Sequence, residues 1–393
     1  TIKISSSNVH QINFHIFNLV WDKKFVQNFI EISLPFQLMP KNLPKLTKYA
    51  NLHYHIYTTR NSKKFFGPMS RLEKLATLHF HYLEDLITEG KPLLDLAKGL
   101  RSPNYKYFIQ KICIRDMHIN YTRKNEAIIL LDSNFVIADG GLGSLGAMWR
   151  NGTRAVMVNV LRITEAAFTK KWYINNISVN SGQLYDKSHP HLHPLQYSYF
   201  ADKPTTTTYP IQLCWHLNSK AIYARSFLPH PLMLPAKDAL QTFQSTPDYD
   251  LALRLCKDDE ITVCSNSKDL LVCKFSDQNH GMLNNNVIKM TPENLALFIL
   301  TSTHNRHRNL VSIGNKFEGS RQNNDWTKVE NLAEDLIGRA YQCVDQIISI
   351  APKLDARFLM YIKSYLGPIE DYMSPELEPL EFKNLIKATQ NDT

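Results

Sequence analysis

The stretch AIILLDSNFVIADGG, residues 127–141, decides how this chain is read. Ala127 to Leu131 is an apolar run too short for a helix, and it predicts a buried strand. The run ends abruptly in Asp132, Ser133 and Asn134, and a second apolar run leads to Asp139, Gly140 and Gly141. A buried strand that runs out into a carboxylate places that oxygen at the carboxyl edge of a sheet, where open α/β sheets take their ligands. Asp132 and Asn134 lie two apart, so both can turn oxygens to one side of the strand end, as Mg²⁺ or Mn²⁺ on a diphosphate requires. The bland alternative is a strand followed by a turn, since Asp, Ser and Asn are common turn formers.

Strand and helix signals alternate on the amino-terminal side of this stretch. Residues 12–21 read as a strand, and residues 22–38 carry helix-spaced apolar positions at Phe25, Phe29, Ile30, Ile32 and Leu34. HYHIYTT (53–59) reads as a second strand running into Thr58 and Thr59, followed by helical patterns around 68–88 and 104–124. This alternation predicts an α/β fold, a mostly parallel sheet covered by helices.

On the carboxyl-terminal side, GGLGSLG (140–146) is expected to open a helix and TRAVMVNVL (153–161) to form a strand. ITEAAFTKKWYI (163–174) should begin another helix, and residues 181–210 an irregular rim. IQLCWHL and KAIYARSFL predict a hairpin about Asn218-Ser219, and EITVCS with DLLVCKF a second strand pair. Beyond about residue 290 the pattern turns helical, with Val329, Leu332, Leu336, Ile337, Ala340, Val344, Ile347 and Ile348 on one face. The expected division is an α/β domain over 1–290 and a mostly helical region over 291–393 packing on it.

Composition narrows the function classes. With 393 residues, 44% hydrophobic and 21% charged, the chain can bury a large core, and no window is apolar enough for a transmembrane segment. The net charge of +9 is scattered without a basic arm or helix, which suits a phosphate-bearing small ligand or an anionic surface better than nucleic acid, with plain solubility the simpler reading. Six cysteines without a C-x-x-C pair predict buried thiols in a reducing compartment. The expected location is cytoplasmic, peripheral to a membrane at most, with secretion left open because any removed leader is invisible. A P-loop, a dinucleotide fingerprint, a G-x-S-x-G elbow and H-E-x-x-H are all missing from the sequence.

Further groups could carry chemistry. His189, His191 and His193 alternate in SHPHLHP, so on an extended segment they would share one side; a packed or hydrogen-bonded rim is the plainer reading. His230 ends a strand between two prolines, as Asp132 ends another, and could reach the same edge. Asp248 and Asp250 open a helix in STPDYDL, where they either stabilise its amino end or serve an active site. Arg306 in THNRHRN would suit a diphosphate, or face solvent.

LLDSNFVIADGGLGSL resembles the metal-binding D-x-D element of GT-A type glycosyltransferases, with Asp132 in the first Asp position and Asn134 in the last. More closely, the chain resembles a group of bacterial glycosyltransferase-like proteins through FHIFNLVWDKKFVQNFIEISLPFQLMPKNLP, HYHIYTT, the 127–145 element, HLHP and QLCWH…SFLPHP. STPDYDL is similar to that group's Thr-x-Asp-x-Asp stretch, and the likeness covers roughly residues 10–310.

The resemblance implies a GT-A-like fold and a sugar moved from a nucleotide-sugar donor to an acceptor of unknown kind: glycan, lipid or protein. Asp132, Asn134 and His230 would hold Mn²⁺ or Mg²⁺ on the diphosphate. Thr58 and Thr59 would lie near the nucleoside, with Asp139, His193 and Arg306 also lining the donor site. Asp248 or Asp250 would deprotonate the acceptor or support the cationic sugar. Asn134 departs from the pattern, because an amide is a neutral ligand and holds a metal less tightly than a second carboxylate. Two other outcomes fit the same residues: a non-catalytic nucleotide- or sugar-binding module, and a secreted effector that glycosylates a host protein.

Overall fold

In the computed structural model of the chain, Ala127–Asp132 is a strand with every residue buried, at the middle of a seven-stranded sheet. The structure describes residues 12–98, 100, 104–241, 247–279, 287–320, 324–350 and 356–372. The first strand, β1 (Ile12–Leu19), leads into α1 (Lys23–Asn28), which continues through a π-helical turn (Phe29–Ser33) into α2 (Leu34–Gln37). There follow α3 (Leu43–Leu46), β2 (Ala50–Thr58), β3 (Thr77–Tyr82), α4 (Asn104–Tyr121) and the central strand β4 (Ala127–Asp132). Next come β5 (Phe135–Ile137), α5 (Gly141–Arg150), β6 (Ala155–Val158), β7 (Val160–Thr164) and α6 (Ser181–Ser188). The hairpin β8 (Gln212–Asn218) and β9 (Ala221–Ser226) precedes β10 (His230–Pro235), α7 (Pro247–Leu255), β11 (Ile261–Val263) and β12 (Val272–Ser276). The chain then forms α8 (Pro292–Ser302), β13 (Gly314–Phe317), α9 (Thr327–Ser349) and α10 (Ala356–Leu366).

The large sheet runs β3-β2-β1-β4-β10-β6-β11, parallel throughout except for β10, which is antiparallel to both neighbours. This is the mixed, mostly parallel, helix-covered sheet expected of a GT-A-like fold. Its central strands β4, β10 and β6 are buried on both faces, so they read as continuous apolar runs, whereas the edge strand β3 is half-exposed. One face packs Phe14, Ile16, Ile129 and Leu131 against α1, α2 and α5. The other packs Phe17, Ile128 and Leu130 against Ile109, Cys113 and Met117 of α4.

A small second sheet, β5-β12-β7, stands beyond the carboxyl edge of the first. The strand expected over 153–161 breaks at Asn159, so β6 lies in the large sheet and β7 in the small one. The segments expected to pair as EITVCS and DLLVCKF instead repeat that crossing: β11 runs beside β6, and β12 beside β7. Two other expectations also change. Residues 70–73 are a single helical turn and Thr77–Tyr82 is the edge strand β3, since its alternating histidines find partners on β2. Residues 181–188 are helical, started by a reciprocal Asn180–Gln183 capping box that the N-x-x-Q spacing encodes.

Past residue 290 the chain is mostly helical, as expected, yet it also adds β13 to the β8–β9 hairpin. Val329, Ala333, Ile337, Ala340, Tyr341 and Val344 bury one face of α9 against that sheet and α8, whereas Leu332 is exposed. Among the described residues, no helix is long and apolar enough to cross a membrane.

The glycine-rich run does open a helix. Its first amides, Gly140 N and Leu142 N, donate to the Asn42 side chain at 3.1 and 2.9 Å. A Cβ on Gly143 would stand 2.2 Å from the Lys41 carbonyl oxygen, whereas one on Gly338 of α9 would meet open space. Gly143→Ala is therefore expected to lose about 1–3 kcal/mol in urea unfolding through overpacking. Gly338→Ala should gain up to about 1 kcal/mol, because the helix loses its most flexible residue.

Candidate functional site

The carboxyl edge of the large sheet collects the chemistry. Leu19 of β1 is level with Asp132 at the end of β4, and β10, running the other way, begins at that edge with His230. The His230 ring donates through Nε2 to the Leu130 carbonyl at 3.0 Å and stands edge-on to Phe135. His230 thus lies at the Asp132 edge, although it begins a strand running the other way instead of ending one as its sequence context predicts.

Asp132 is 8% exposed and does not face solvent alone. Its Oδ2 accepts a hydrogen bond from Lys274 Nζ and lies 3.4 Å from Lys106 Nζ. Burial acts to raise the carboxyl, but the Lys106 and Lys274 ammoniums outweigh it and hold the group well below the usual carboxylate range. Burial also pulls Lys274 down to about 8, with Lys106 and Arg162 adding to the fall and Asp132 opposing it. Burial raises the Tyr199 hydroxyl, and the nearby Arg162 guanidinium partly offsets that rise. Lys274 and Arg162 are direct cross-strand partners on β12 and β7, with Phe135 of β5 on the other side of Lys274.

These donors do not fit a divalent cation. A metal at Asp132 would meet two ammonium groups competing for the same oxygen, whereas Mg²⁺ or Mn²⁺ seeks a shell of oxygens. Asn134 turns its amide nitrogen to the Phe275 carbonyl at 2.6 Å, and His230 spends Nε2 on Leu130. Among the described residues, no three His, Cys, Asp or Glu side chains converge as a metal ion would need.

The same edge carries buried polar atoms without hydrogen-bond partners. They are Thr58 Oγ1 at the end of β2, Asn18 Oδ1 next to the end of β1, and both side-chain polar atoms of Asn159, which follows β6. Thr59 instead caps a short helix by accepting from Ser62 N at 3.2 Å. An unmet buried polar group costs about 1–3 kcal/mol, so three such residues at one sheet edge make that edge the candidate site.

Asp139, His193, Asp250 and Arg306 are each engaged by partners within the fold. Asp139 accepts from Lys41 N at 2.7 Å and from Ser178 Oγ at 2.5 Å, which uses both its oxygens. His193 caps a helical turn by accepting from Leu195 N at 3.0 Å and donates to the Asp277 carbonyl at 2.9 Å. His189 and His191 sit on a 3₁₀ turn rather than on an extended segment, and Pro190 between them is tolerated because the first turn of a helix leaves its backbone N–H groups unpaired. Asp250 is buried and ion-paired with Arg254, which in turn holds the Glu370 and Tyr372 carbonyls. Arg306 bonds Asp258 and the Leu253 and Cys256 carbonyls, apart from Asp132. The side chain of Asp248 lies outside the described residues.

A second polar cluster had no signal in the strand reading beyond the H-x-H spacing of β2 and β3. Five histidines, His15, His53, His55, His79 and His81, stack on one face of β1, β2 and β3 against Tyr121. Glu126 approaches His15 Nε2 at 2.9 Å, His15 Nδ1 approaches His55 Nε2 at 3.0 Å, and His55 Nδ1 approaches His81 Nε2 at 3.0 Å. An ionised Glu126 can only accept, so His15 donates from Nε2 and accepts at Nδ1. That choice fixes the same Nε2–H tautomer on His55 and His81 in turn.

No family model matches the chain, and none of the curated proteins does. Among solved structures, a 1–349 fragment of S. aureus TarS with UDP-GlcNAc is similar at 10% identity, covering 91% of this chain and 80% of that one, with a TM-score of 0.37. The same fragment with UDP matches at 10% identity over 97% and 89%, with a TM-score of 0.36. Apo mouse xyloside xylosyltransferase 1 matches at 13% identity and a TM-score of 0.25, over 42% of this chain and 59% of its own length.

Proposed function

We propose that this chain binds a nucleotide-sugar along the carboxyl edge of the large sheet and transfers the sugar to an acceptor. The observation that carries the reading is the set of unmet buried polar groups on Asn18, Thr58 and Asn159, at or just beyond the ends of three parallel strands. A nucleoside and a sugar both offer many hydrogen-bonding edges, and the crevice outside parallel strand ends is where such ligands lie. The sequence resemblance of the 127–145 element to glycosyltransferases supports the same edge.

Thermal-shift measurements with UDP-, GDP- and CDP-sugars are the test. One donor family is expected to raise the melting temperature by several degrees, corresponding to about 2–3 kcal/mol at a hundredfold excess over Kd. Asn159→Leu should remove most of that rise while leaving the unliganded protein at least as stable. Slow hydrolysis of the same donor to free sugar and nucleotide should accompany binding. A protein indifferent to every nucleotide-sugar would end this reading.

A non-catalytic binding module is the second reading. It is favoured by the engagement of Asp132 with two lysines and of Asp250 with Arg254, which leaves neither carboxylate as a ready base. Stabilisation without any donor turnover would decide for it.

A further inference from the structure

We propose that this edge takes the diphosphate of its ligand directly on Lys106, Lys274 and Arg162, with no divalent cation between protein and phosphate. The inference rests on the nucleotide-sugar reading for the identity of the ligand, but the anion site is argued from its own geometry. Lys274 and Arg162 are placed directly opposite each other across β12 and β7. Like charges in that position repel, and here they do so away from bulk water, with the Lys274 side chain only 19% exposed. Lys106 comes from a different element, the first turn of α4, where the helix dipole disfavours a cation and favours an anion.

One carboxylate answers these three cations. Lys274, Lys106 and Arg162 stand against the single carboxylate of Asp132, an excess of two positive charges. A bound diphosphate supplies negative charge of that size. The guanidinium offers the paired N–H geometry that phosphate oxygens accept, and the two ammoniums act as point charges. Lys106, with its side chain 42% exposed, connects the cluster to solvent, so an anion has a way in. Asn159, buried and unsatisfied, immediately precedes β7 and supplies a neutral donor on the same crossing. On this account Asp132 is a positioning residue that holds the two lysines together when no ligand is bound.

The two readings of Asp132 predict opposite signs, which makes the test sharp. Inorganic pyrophosphate is titrated calorimetrically into the full chain in EDTA, then into Asp132→Asn, Lys274→Met and Arg162→Met. Wild-type protein should bind pyrophosphate in EDTA, and Asp132→Asn should bind it about tenfold more tightly because the competing negative charge is gone. Lys274→Met and Arg162→Met should each weaken binding by about tenfold or more. Pyrophosphate should also raise the melting temperature of Asp132→Asn more than that of wild type, a readout that holds even if this variant is less stable unliganded.

Binding that needs Mg²⁺ or Mn²⁺ and is lost in Asp132→Asn would overturn the inference, as would unchanged affinity in Arg162→Met. Wild-type protein that ignores pyrophosphate in EDTA would overturn it too. The two proposals fail separately. Cation-free pyrophosphate binding without any response to nucleotide-sugars would end the sugar-transfer reading and keep the anion site, whereas cation-dependent nucleotide-sugar binding would do the reverse.

Discussion

Acidification from pH 7 to about 4.5 should unfold this protein cooperatively, with the largest loss coming from the stacked histidines. Burial lowers His15 and His81 to about 4, against the ordinary histidine value of 6.5, and drives His55 much further down. His53 and His79 are lowered as well, again by burial. Groups whose folded-state pKa is depressed take up protons more readily in the unfolded chain. Their contribution is therefore complete above pH 6.5 and is lost as pH falls towards 4. His15 and His81 account for about 3 kcal/mol each, which together approach the whole stability of many domains.

Glu126 tempers the effect at His15, since its hydrogen bond and charge both favour the protonated ring. Because neighbouring imidazoles titrate together, the loss should appear as one steep transition rather than five separate ones. Urea unfolding at half-unit pH steps measures it. His81→Phe, which keeps a ring against Tyr57 and Tyr121, should flatten the slope between pH 6.5 and 4.5. Stability that is level across this range would show that the rings are not held neutral by burial.

Lys274→Met is expected to cost about 3–5 kcal/mol of stability at neutral pH, because it strands the buried Asp132 carboxylate. Lys106 cannot replace the lost partner fully, lying 3.4 Å away with a half-exposed side chain. Lys274→Met combined with Asp132→Leu should recover most of the loss, since removing both members of a buried pair avoids the unpaired charge. A double-mutant cycle in urea at pH 7 reads the coupling directly. Purely additive losses would mean that the Asp132–Lys274 contact carries no energetic weight, and that the edge owes its order to packing alone.

How much of the site could be read from residues varies with the range of the interaction. The buried strand ending in Asp132 was legible because a five-residue apolar run with a sharp polar stop is a local signal. His230 reaches the same edge, but the sequence predicts a strand ending there, whereas β10 begins at His230 and runs antiparallel to β4, which only the sheet reveals. The histidine face was written in H-x-H on β2 and β3, yet its meaning needed the register that sets His55 opposite His79. Lys274 and Arg162 carried no signal at all, since each is an ordinary charged residue in an alternating strand until β12 and β7 lie side by side. Asp139, His193 and Arg306 looked like ligand residues because polar side chains near strand ends bind ligands and cap backbone equally well, and only their neighbours separate the two uses.

Local chemistry alone determined that this chain builds a helix-covered, mostly parallel sheet, and that its central strand delivers a carboxylate to the carboxyl edge. Apolar periodicity and strand length act over a few residues and survive without knowledge of partners. Which charges surround that carboxylate was decided by tertiary structure, because Lys106 comes from 26 positions before Asp132 and Lys274 from 142 positions after it. Coulomb forces depend on distance in space: the crossing from the large sheet to the small one brings Lys274 to Asp132, and α4 brings Lys106.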